Sequence, residues 1–158
     1  MTKELNNLQH IWSVLCMNSV IDQETNNISL NNILEEIQIK KNIINLVSTS
    51  NKNSEKKEAI LINFELVSFW KKLISKEEKI HFETMIKILD PEGEVLHTIP
   101  QTIEMKENIE RFRSRIKFNA MPFTKPGGYI FQINVKKEKE FIEIGRIPLQ
   151  IKIVVDKK

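Results

Sequence analysis

Cysteine is nearly absent from this chain of 158 residues, which contains only Cys16. A single cysteine excludes an intramolecular disulfide and leaves no CxxC redox motif or zinc ribbon to assemble, which fits a reducing compartment. Long apolar runs are lacking as well. No stretch approaches the roughly 18 apolar residues of a membrane span, and the first ten residues mix charged and polar side chains. We therefore expect a cytoplasmic protein with neither a secretion signal nor a membrane span.

Glycine is scarce too, with four residues in the chain. Their positions allow neither a GxGxxG motif nor a GxxxxGKS or GxxxxGKT motif, so the common phosphate-binding loops are excluded. The three histidines form no HxH or HExxH motif. Only His81 and His97 are expected on the two arms of one hairpin, which is fewer ligands than zinc requires. We predict no metal site and no cofactor.

Charge of one sign is not in excess, because 24 Lys and Arg residues oppose 21 Asp and Glu residues. The formal net charge is +3, and the two signs are interleaved along most of the chain. Domains that bind nucleic acid usually carry a stronger basic excess. The overall charge therefore does not predict a nucleic-acid partner.

Strict alternation of apolar and polar residues is the main positive signal. In residues 129–135, every second residue is apolar, directly after the turn sequence Pro126-Gly127-Gly128. The same period of two recurs at 60–70, 80–88 and 111–118. This period predicts β-strands with one buried face. Trp70, within one of these strands, is expected to fill the core between two sheets.

Residues 80–99 predict a hairpin, because Asp90-Pro91-Glu92-Gly93 places proline and glycine where a type I turn favours them. Pro100 is expected to end the second strand of this hairpin.

The last apolar run, residues 141–155, contains Gly145 and Pro148. These residues predict a bulge or a bent edge strand. An unpaired edge strand here would be able to join two chains into a homo-oligomer.

The first forty residues fit two interpretations. Residues 5–15 and 28–40 contain apolar positions with helical spacing, but both are also acceptable as strands. The polar segment 23–27 between runs rich in Ile and Val favours a hairpin. A single short helix stays open for residues 5–15 or 73–79. Residues 48–57 are low in apolar content and predict a mobile loop.

The turn before Tyr129 resembles the tyrosine corner of immunoglobulin-like and fibronectin-type-III-like sandwiches, in which a Pro-Gly-x-Tyr turn leads into a late strand. The match is carried by Pro126, Gly127, Gly128 and Tyr129. The resemblance implies a fold and no function, because this corner is a structural device.

A wider pattern extends over most of the chain. It consists of a Cys-x-x-Ser-Val-x-x-Asp stretch, an Ile-Ser-Leu-x-Asn run, a mid-chain Trp, an Asp-Pro-x-Gly turn and the Pro-Gly-x-Tyr strand. The positions are Cys16, Ser19, Val20, Asp22, Ile28, Ser29, Leu30, Asn32, Trp70, Asp90, Pro91, Gly93, Pro126, Gly127 and Tyr129. The chain thereby resembles a family of uncharacterised bacterial and phage proteins of unknown function. That resemblance implies architecture and no catalytic residues.

These patterns together predict one domain over residues 1–158. We expect an all-β, antiparallel, immunoglobulin-like β-sandwich of about seven to nine strands.

One strand carries a polar face of a single sign. Arg111, Arg113, Arg115 and Lys117, here called the cationic row, alternate with apolar residues and would lie about 6 to 7 Å apart along the strand. This row is the candidate site for an anionic ligand or nucleic acid. The same residues are also typical of an exposed strand that deters edge pairing.

We expect a non-catalytic protein-interaction or accessory module in a bacterial or phage context, engaging another protein by a sheet face or an edge strand. Anionic-ligand or nucleic-acid binding through the cationic row is the second hypothesis. The third is an enzyme with dispersed residues, for example Cys16 with His10 or His81. No local motif activates that thiol, so a buried core cysteine is favoured.

Overall fold

The computed structural model describes residues 4–5, 7–41, 58–73 and 77–155, and within these ranges the chain forms strands and no helix. The all-β prediction is confirmed. The predicted loop at 48–57 lies outside the described residues. The strands are β1 (Glu4–Leu5), β2 (Leu8–Ile21), β3 (Ile28–Ile33), β4 (Glu36–Lys40), β5 (Glu58–Ile60), β6 (Phe64–Lys72), β7 (Ile80–Leu89), β8 (Val95–Met105), β9 (Arg111–Phe118), β10 (Met121–Phe123), β11 (Gly127–Lys137) and β12 (Glu140–Val154).

The strands form two five-stranded sheets and one small two-stranded sheet. The first sheet has the order β1-β2-β6-β9, with β3 also paired to β2, and the second has the order β4-β12-β11-β7-β8. Strands β10 and β5 form the small sheet. Pairing is antiparallel, as predicted, except that β4 and β12 run parallel. The predicted number of about seven to nine strands agrees with the number of longer strands. The remaining three, β1, β5 and β10, have only two or three residues each.

Aromatic contacts join the two large sheets. The ring centroid of Trp70 in β6 lies 5.1 Å from that of Phe82 in β7, and Phe64 in β6 lies 6.0 Å from Phe131 in β11. The side chains of Trp70, Phe64 and Phe131 have at most 1% of their surface exposed. The sheets therefore pack face to face around one apolar core, and the predicted core position of Trp70 is confirmed. Burial of each such side chain contributes roughly 1.5 to 3 kcal/mol to folding.

The helix considered for residues 5–15 is wrong, because residues from Leu8 onward form strand β2. The register between β2 and β6 shifts between His10 and Trp12, which leaves Ile11 as the extra residue of a bulge. The extra residue of a bulge shifts the alternation by one, so that residues after it point to the opposite face from the one that an unbroken alternation would give them. Leu8 and Leu15 therefore both face the core, although they lie an odd number of positions apart in the sequence. This spacing produced the helical pattern in the sequence. The other proposed helix, 73–79, falls partly outside the described residues, and its described part is not helical.

The predicted N-terminal hairpin is confirmed, since β2 and β3 pair antiparallel from Ile21 with Ile28 to Cys16 with Ile33. The run 28–40 is nevertheless two strands. After β3, the chain crosses to the second sheet, where β4 pairs parallel with β12. The crossing is bonded to both sheets: the Leu34 amide donates to the Leu15 carbonyl at 2.8 Å, and the Glu35 carbonyl accepts from the Gln150 amide at 3.0 Å.

The hairpin around Asp90 is also confirmed, because β7 and β8 pair antiparallel on either side of the turn. The predicted end at Pro100 is wrong. Strand β8 continues to Met105, and Pro100 lies opposite Met85 within the ladder. Proline is tolerated here because β8 is the last strand of its sheet, where one side of the backbone has no described strand to bond.

The final run forms β12, and a register shift next to Gly145 confirms the predicted bulge. The shift places Ile133 opposite Gly145 and Asn134 opposite Glu143. The prediction of an edge strand is wrong for the end of this run, because Gln150 and Ile151 pair with both β4 and β11, and the residues after them, up to Val154, pair with β4. Before Gln150, β11 is its strand neighbour among the described residues.

The two turns singled out by sequence contact each other. The Thr124 hydroxyl donates to Oδ2 of Asp90 at 3.2 Å, and Lys125 forms an ion pair with Glu92. Gly127 has a φ of 144°, and a Cβ atom built on it would lie 2.8 Å from Cγ of Pro91. Glycine is therefore required at 127 by both backbone conformation and close approach.

Tyr129 connects the second of these turns to the core. Its ring has no exposed surface, and its hydroxyl donates to the Lys125 carbonyl at 2.7 Å while accepting from the Thr124 amide at 3.0 Å. The expected alternation of β11 is confirmed, because every second side chain after Tyr129 is buried: Phe131, Ile133 and Val135.

Candidate interaction site at the edge strand β9

Strand β9 carries the whole cationic row and ends the first sheet. Its described neighbour is β6, with pairs that run from Phe64 with Phe118 to Lys71 with Arg111. Cationic residues alternate with apolar residues and Ser114 along β9. One face of the strand therefore presents the cations, and the other presents the apolar residues and Ser114 toward the second sheet. The side of β9 turned away from β6 is called the open edge below.

Hydrogen bonding between β6 and β9 decides which backbone groups face the open edge. The Lys72 amide donates to the Glu110 carbonyl at 2.8 Å, one step beyond the pair of Lys71 with Arg111. Hydrogen-bonded and non-hydrogen-bonded pairs alternate in an antiparallel ladder. Four residues of β9 consequently bond to β6: Phe112, Ser114, Ile116 and Phe118. The amides and carbonyls of the cationic row point to the open edge.

The side chains of the cationic row are not equivalent. Arg113 donates to the carbonyl oxygen of Asn26 at 2.8 Å and to its Oδ1 at 2.7 Å, so it is tied to the tip of the β2–β3 hairpin. Arg115 remains exposed, and its contacts with Ser19 are long, at 3.4 Å. Arg111 and Lys117 are exposed as well. Three of the four cations are thus accessible.

The electrostatics of the row reflect its like charges. Burial lowers the pKa of the Arg113 guanidinium, and the neighbouring Arg111 and Arg115 lower it further. Arginine still stays protonated under all ordinary conditions. Burial is the larger cause of the shift, and the smaller contribution of Arg111 and Arg115 reflects the repulsion between like charges along β9, which an anionic group would relieve.

An open groove of about 610 Å³ lies between β8 and β9, the last strands of the two large sheets. It is called the β8–β9 groove. Seven half-buried apolar side chains line it: Ala59, Leu96, Ile99, Ile116, Phe118, Ala120 and Pro122. The exposed side chains of His97, Lys117 and Glu58 stand among them. An extended chain on the open edge of β9 would therefore meet apolar surface on its inward side.

The β2–β3 hairpin bends back over the outward face of the first sheet. Besides the Arg113 contact with Asn26, Ser19 donates to Oε2 of Glu65 at 2.5 Å. Val67 points to this outward face, yet it has no exposed surface. The hairpin thus covers part of the face on which the cationic row stands and holds Arg113 in place.

Cys16 lies in β2 at the base of this hairpin, opposite Ile33, and has no exposed surface. Burial raises the pKa of its thiol, and the nearby Glu65 carboxylate raises it further. A nucleophilic cysteine needs the opposite, a neighbour that stabilises the thiolate. The environment of Cys16 favours a protonated core thiol and gives no support to the dispersed-enzyme hypothesis.

The three histidines lie in separate places. The ring of His10 packs at a tilt against that of Trp70, with the centroids 4.9 Å apart, and its Nε2 is 2.7 Å from the Ser13 hydroxyl. Burial lowers the pKa of His10, which favours the neutral ring. His81 pairs with Glu104, and His97 pairs with Ile88, so the two histidines on the arms of this hairpin do not face each other. No group of three or more His, Cys, Asp or Glu residues within the described ranges could hold a metal ion.

Sequence reasoning found the cationic row but missed what surrounds it. The contact between Arg113 and Asn26 joins residues 87 positions apart, which no local pattern reports. The β8–β9 groove was missed because its lining comes from four strands and the connection after β9. One signal was available: Pro100 within an alternating run marks an edge strand.

Neither the protein-family models nor the curated proteins with which the chain was compared match it. In the part of the chain that the structure describes, no helix has the length and apolar character to cross a membrane.

Proposed function

We propose that this protein is a non-catalytic interaction module that binds another protein by adding a strand of the partner to the open edge of β9. The observation that carries the proposal is the backbone pattern. Four residues of β9 direct their amides and carbonyls away from β6, and no described strand pairs with them. Unpaired strand edges recruit extended peptides through main-chain hydrogen bonds, and adjacent pockets for alternate side chains provide specificity. The β8–β9 groove supplies such a pocket.

The finer assignment of the fold belongs to the same proposal. We infer an immunoglobulin-like sandwich, supported by the Tyr129 hydroxyl bound to the backbone at Lys125 and by the two face-packed sheets. A bacterial or phage context rests on the sequence pattern described above. Action in the cytoplasm is supported by a single, free and buried cysteine.

Amide hydrogen exchange tests whether the edge is free. In the protein alone, the amides of Phe112, Ser114, Ile116 and Phe118 should exchange slowly, and those of the cationic row should exchange much faster. A bound strand should slow the second set selectively. Equal protection of both sets in the free protein would overturn the proposal, because the edge would already be occupied.

A pair of variants distinguishes the contribution of backbone hydrogen bonds to binding from the contribution of side-chain charge. Lys117→Pro removes a cation and an edge-facing N–H without losing a bond to β6, whereas Lys117→Ala removes only the cation. Proteins captured from extracts of the source cell with the wild-type module should be lost with Lys117→Pro and retained in large part with Lys117→Ala. Indistinguishable capture by the two variants would contradict strand addition.

Binding of an anionic polymer through the cationic row is the second candidate, favoured by the like-charge cluster around Arg113. Its signature is a steep fall in affinity with salt. Heparin or single-stranded DNA that binds at low salt and is released by Arg111→Glu with Arg115→Glu would support it. However, Arg113 is engaged with Asn26, which interrupts the row at its centre.

A further inference from the structure

A second copy of β9 is a poor occupant of the open edge. Antiparallel pairing of two β9 strands would place the cationic row of one chain opposite that of the other. Like charges directly opposite each other on neighbouring strands are destabilising. The row therefore selects against self-pairing and favours a strand of opposite charge.

The geometry of β9 defines what such a strand presents. Residues opposite the cationic row share its outward face, so carboxylates there would lie within reach of the exposed side chains of Arg115 and Lys117. The intervening residues point inward, toward the opening between the two large sheets. A partner strand in which carboxylate and apolar residues alternate would therefore place its charges on the outward face and its apolar side chains on the inward face.

The inward side chains would meet the β8–β9 groove. Ile116 and Phe118 project into it from β9, and Leu96 and Ile99 approach from β8. A volume of about 610 Å³ lies within the range of roughly 300 to 1,000 Å³ that is typical of ligand-binding pockets. Among the described residues, Glu58 is the single acidic one in the lining, so the described part of the groove does not repel a carboxylate-bearing chain strongly.

We infer that the partner segment is an extended acidic strand in which carboxylate and apolar side chains alternate, added antiparallel to β9. This inference rests on the proposed function and specifies its ligand. The carboxylates face Arg115 and Lys117, and the apolar side chains enter the β8–β9 groove. A nucleic acid shares the negative charge but has no amides to complete the β9 ladder.

A synthetic nine-residue peptide of alternating Glu and Val tests the inference by fluorescence anisotropy. It should bind the full chain, and its affinity should fall as salt is added. A peptide of the same composition with all Glu residues grouped together should bind roughly tenfold more weakly or not at all. In the antiparallel arrangement, the Glu amides bond to β9 and the Val amides point away. Methylation of the Glu nitrogens should therefore abolish binding, and methylation of the Val nitrogens should not.

Variants of the chain assign the charge contribution. Arg115→Glu with Lys117→Glu should weaken the alternating peptide by roughly tenfold or more. Lys137→Glu with Lys139→Glu is the matched control, because it makes the same change in net charge on exposed residues of the β11–β12 turn. That control should change affinity by no more than about twofold once salt screens long-range effects. Equal weakening by both pairs would overturn the inference.

The outcomes separate the inference from the proposed function. If captured partners protect the edge amides of β9 but neither peptide binds, strand addition stands and the acidic alternating class is wrong. If heparin or DNA binds, neither peptide binds and no captured partner protects the edge amides of β9, both are overturned in favour of polyanion binding. Equal binding of the alternating and grouped peptides would reduce the site to a non-specific cationic patch and would also overturn the inference.

Discussion

The carboxylate of Asp90 accepts a hydrogen bond from the hydroxyl of Thr124 across 3.2 Å, although 34 residues separate them in the chain. Asp90 also accepts from the amides of Glu92 and Glu94 through its Oδ1, both at 2.9 Å. One buried carboxylate thus organises its own turn and holds the turn before Tyr129 against it.

Asp90 should make stability depend on pH. Burial raises its pKa, but the Glu94 and Glu92 amides, Thr124 and Lys125 together outweigh burial, so the pKa lies below its ordinary value. A carboxyl group whose pKa is lowered in the folded state contributes stability above its ordinary pKa, near 4, and that contribution is lost as the pH falls through the folded-state value. Urea unfolding should therefore show Asp90→Asn to be less stable than wild type at neutral pH.

The same deficit should shrink as the pH falls below the ordinary carboxyl pKa and through the folded-state pKa of Asp90, because the wild-type carboxyl then becomes neutral too. Glu94→Gln is the control, since it removes an exposed carboxylate from the same turn while keeping the backbone amide that Asp90 uses. A deficit of Asp90→Asn that is constant with pH would contradict this account.

Gly127→Ala should destabilise the protein by about 1 to 3 kcal/mol, because the backbone at φ 144° is strained for alanine and the new Cβ would meet Pro91. Gly128→Ala is the matched control, since the nearest atom to its added Cβ is 3.7 Å away. Urea denaturation of the two variants measures the difference. Adding Pro91→Gly should recover only part of the loss, as it relieves the clash and not the φ strain.

The contact between Arg113 and Asn26 should hold the β2–β3 hairpin onto the sheet. Arg113→Ala should cost roughly 1 kcal/mol and speed hydrogen exchange in the hairpin. Asn26→Gly should cost less, because glycine accepts the φ of 56° at this position and keeps the carbonyl that Arg113 also contacts. If Arg113→Ala leaves exchange in the hairpin unchanged, the contact does not hold the hairpin down.

Cys16 should resist alkylation in the folded protein. Its thiol is buried, and burial together with Glu65 raises its pKa, so little thiolate is available at pH 8. Iodoacetamide should label the urea-unfolded chain much faster than the native chain. Rapid labelling of native Cys16, with His10 or His81 needed for the rate, would instead revive the dispersed-enzyme hypothesis.

The strands inside the sandwich were the most predictable part of the molecule. From Tyr129 to Val135 the alternation of apolar residues has one cause, a face that must be buried, and β11 indeed lies between two other strands. Turns were predictable where proline and glycine restrict or free φ, as at Asp90-Pro91-Glu92-Gly93. The N-terminal strand was ambiguous because the bulge at Ile11 breaks the period that identifies a strand.

The candidate site divides in the same way. The cationic row could be recognised because its four residues share one strand face within seven positions. Its surroundings could not, since the β8–β9 groove and the Asn26 contact join segments that are distant in sequence. The sequence pattern also could not show that β9 ends its sheet. An edge strand and an inner strand with one polar face have the same alternation of polar and apolar residues.

The sequence by itself determined the all-β class, the buried faces of the central strands and the positions of the two turns, because these follow from side-chain period and local backbone preference. The tertiary structure alone decided that β4 crosses to the second sheet, that β12 is paired on both sides at Gln150 and Ile151, and that no second described strand pairs with β9. Strand neighbours are set by long-range hydrogen bonds and by which apolar faces meet, and no stretch of the chain records those choices locally.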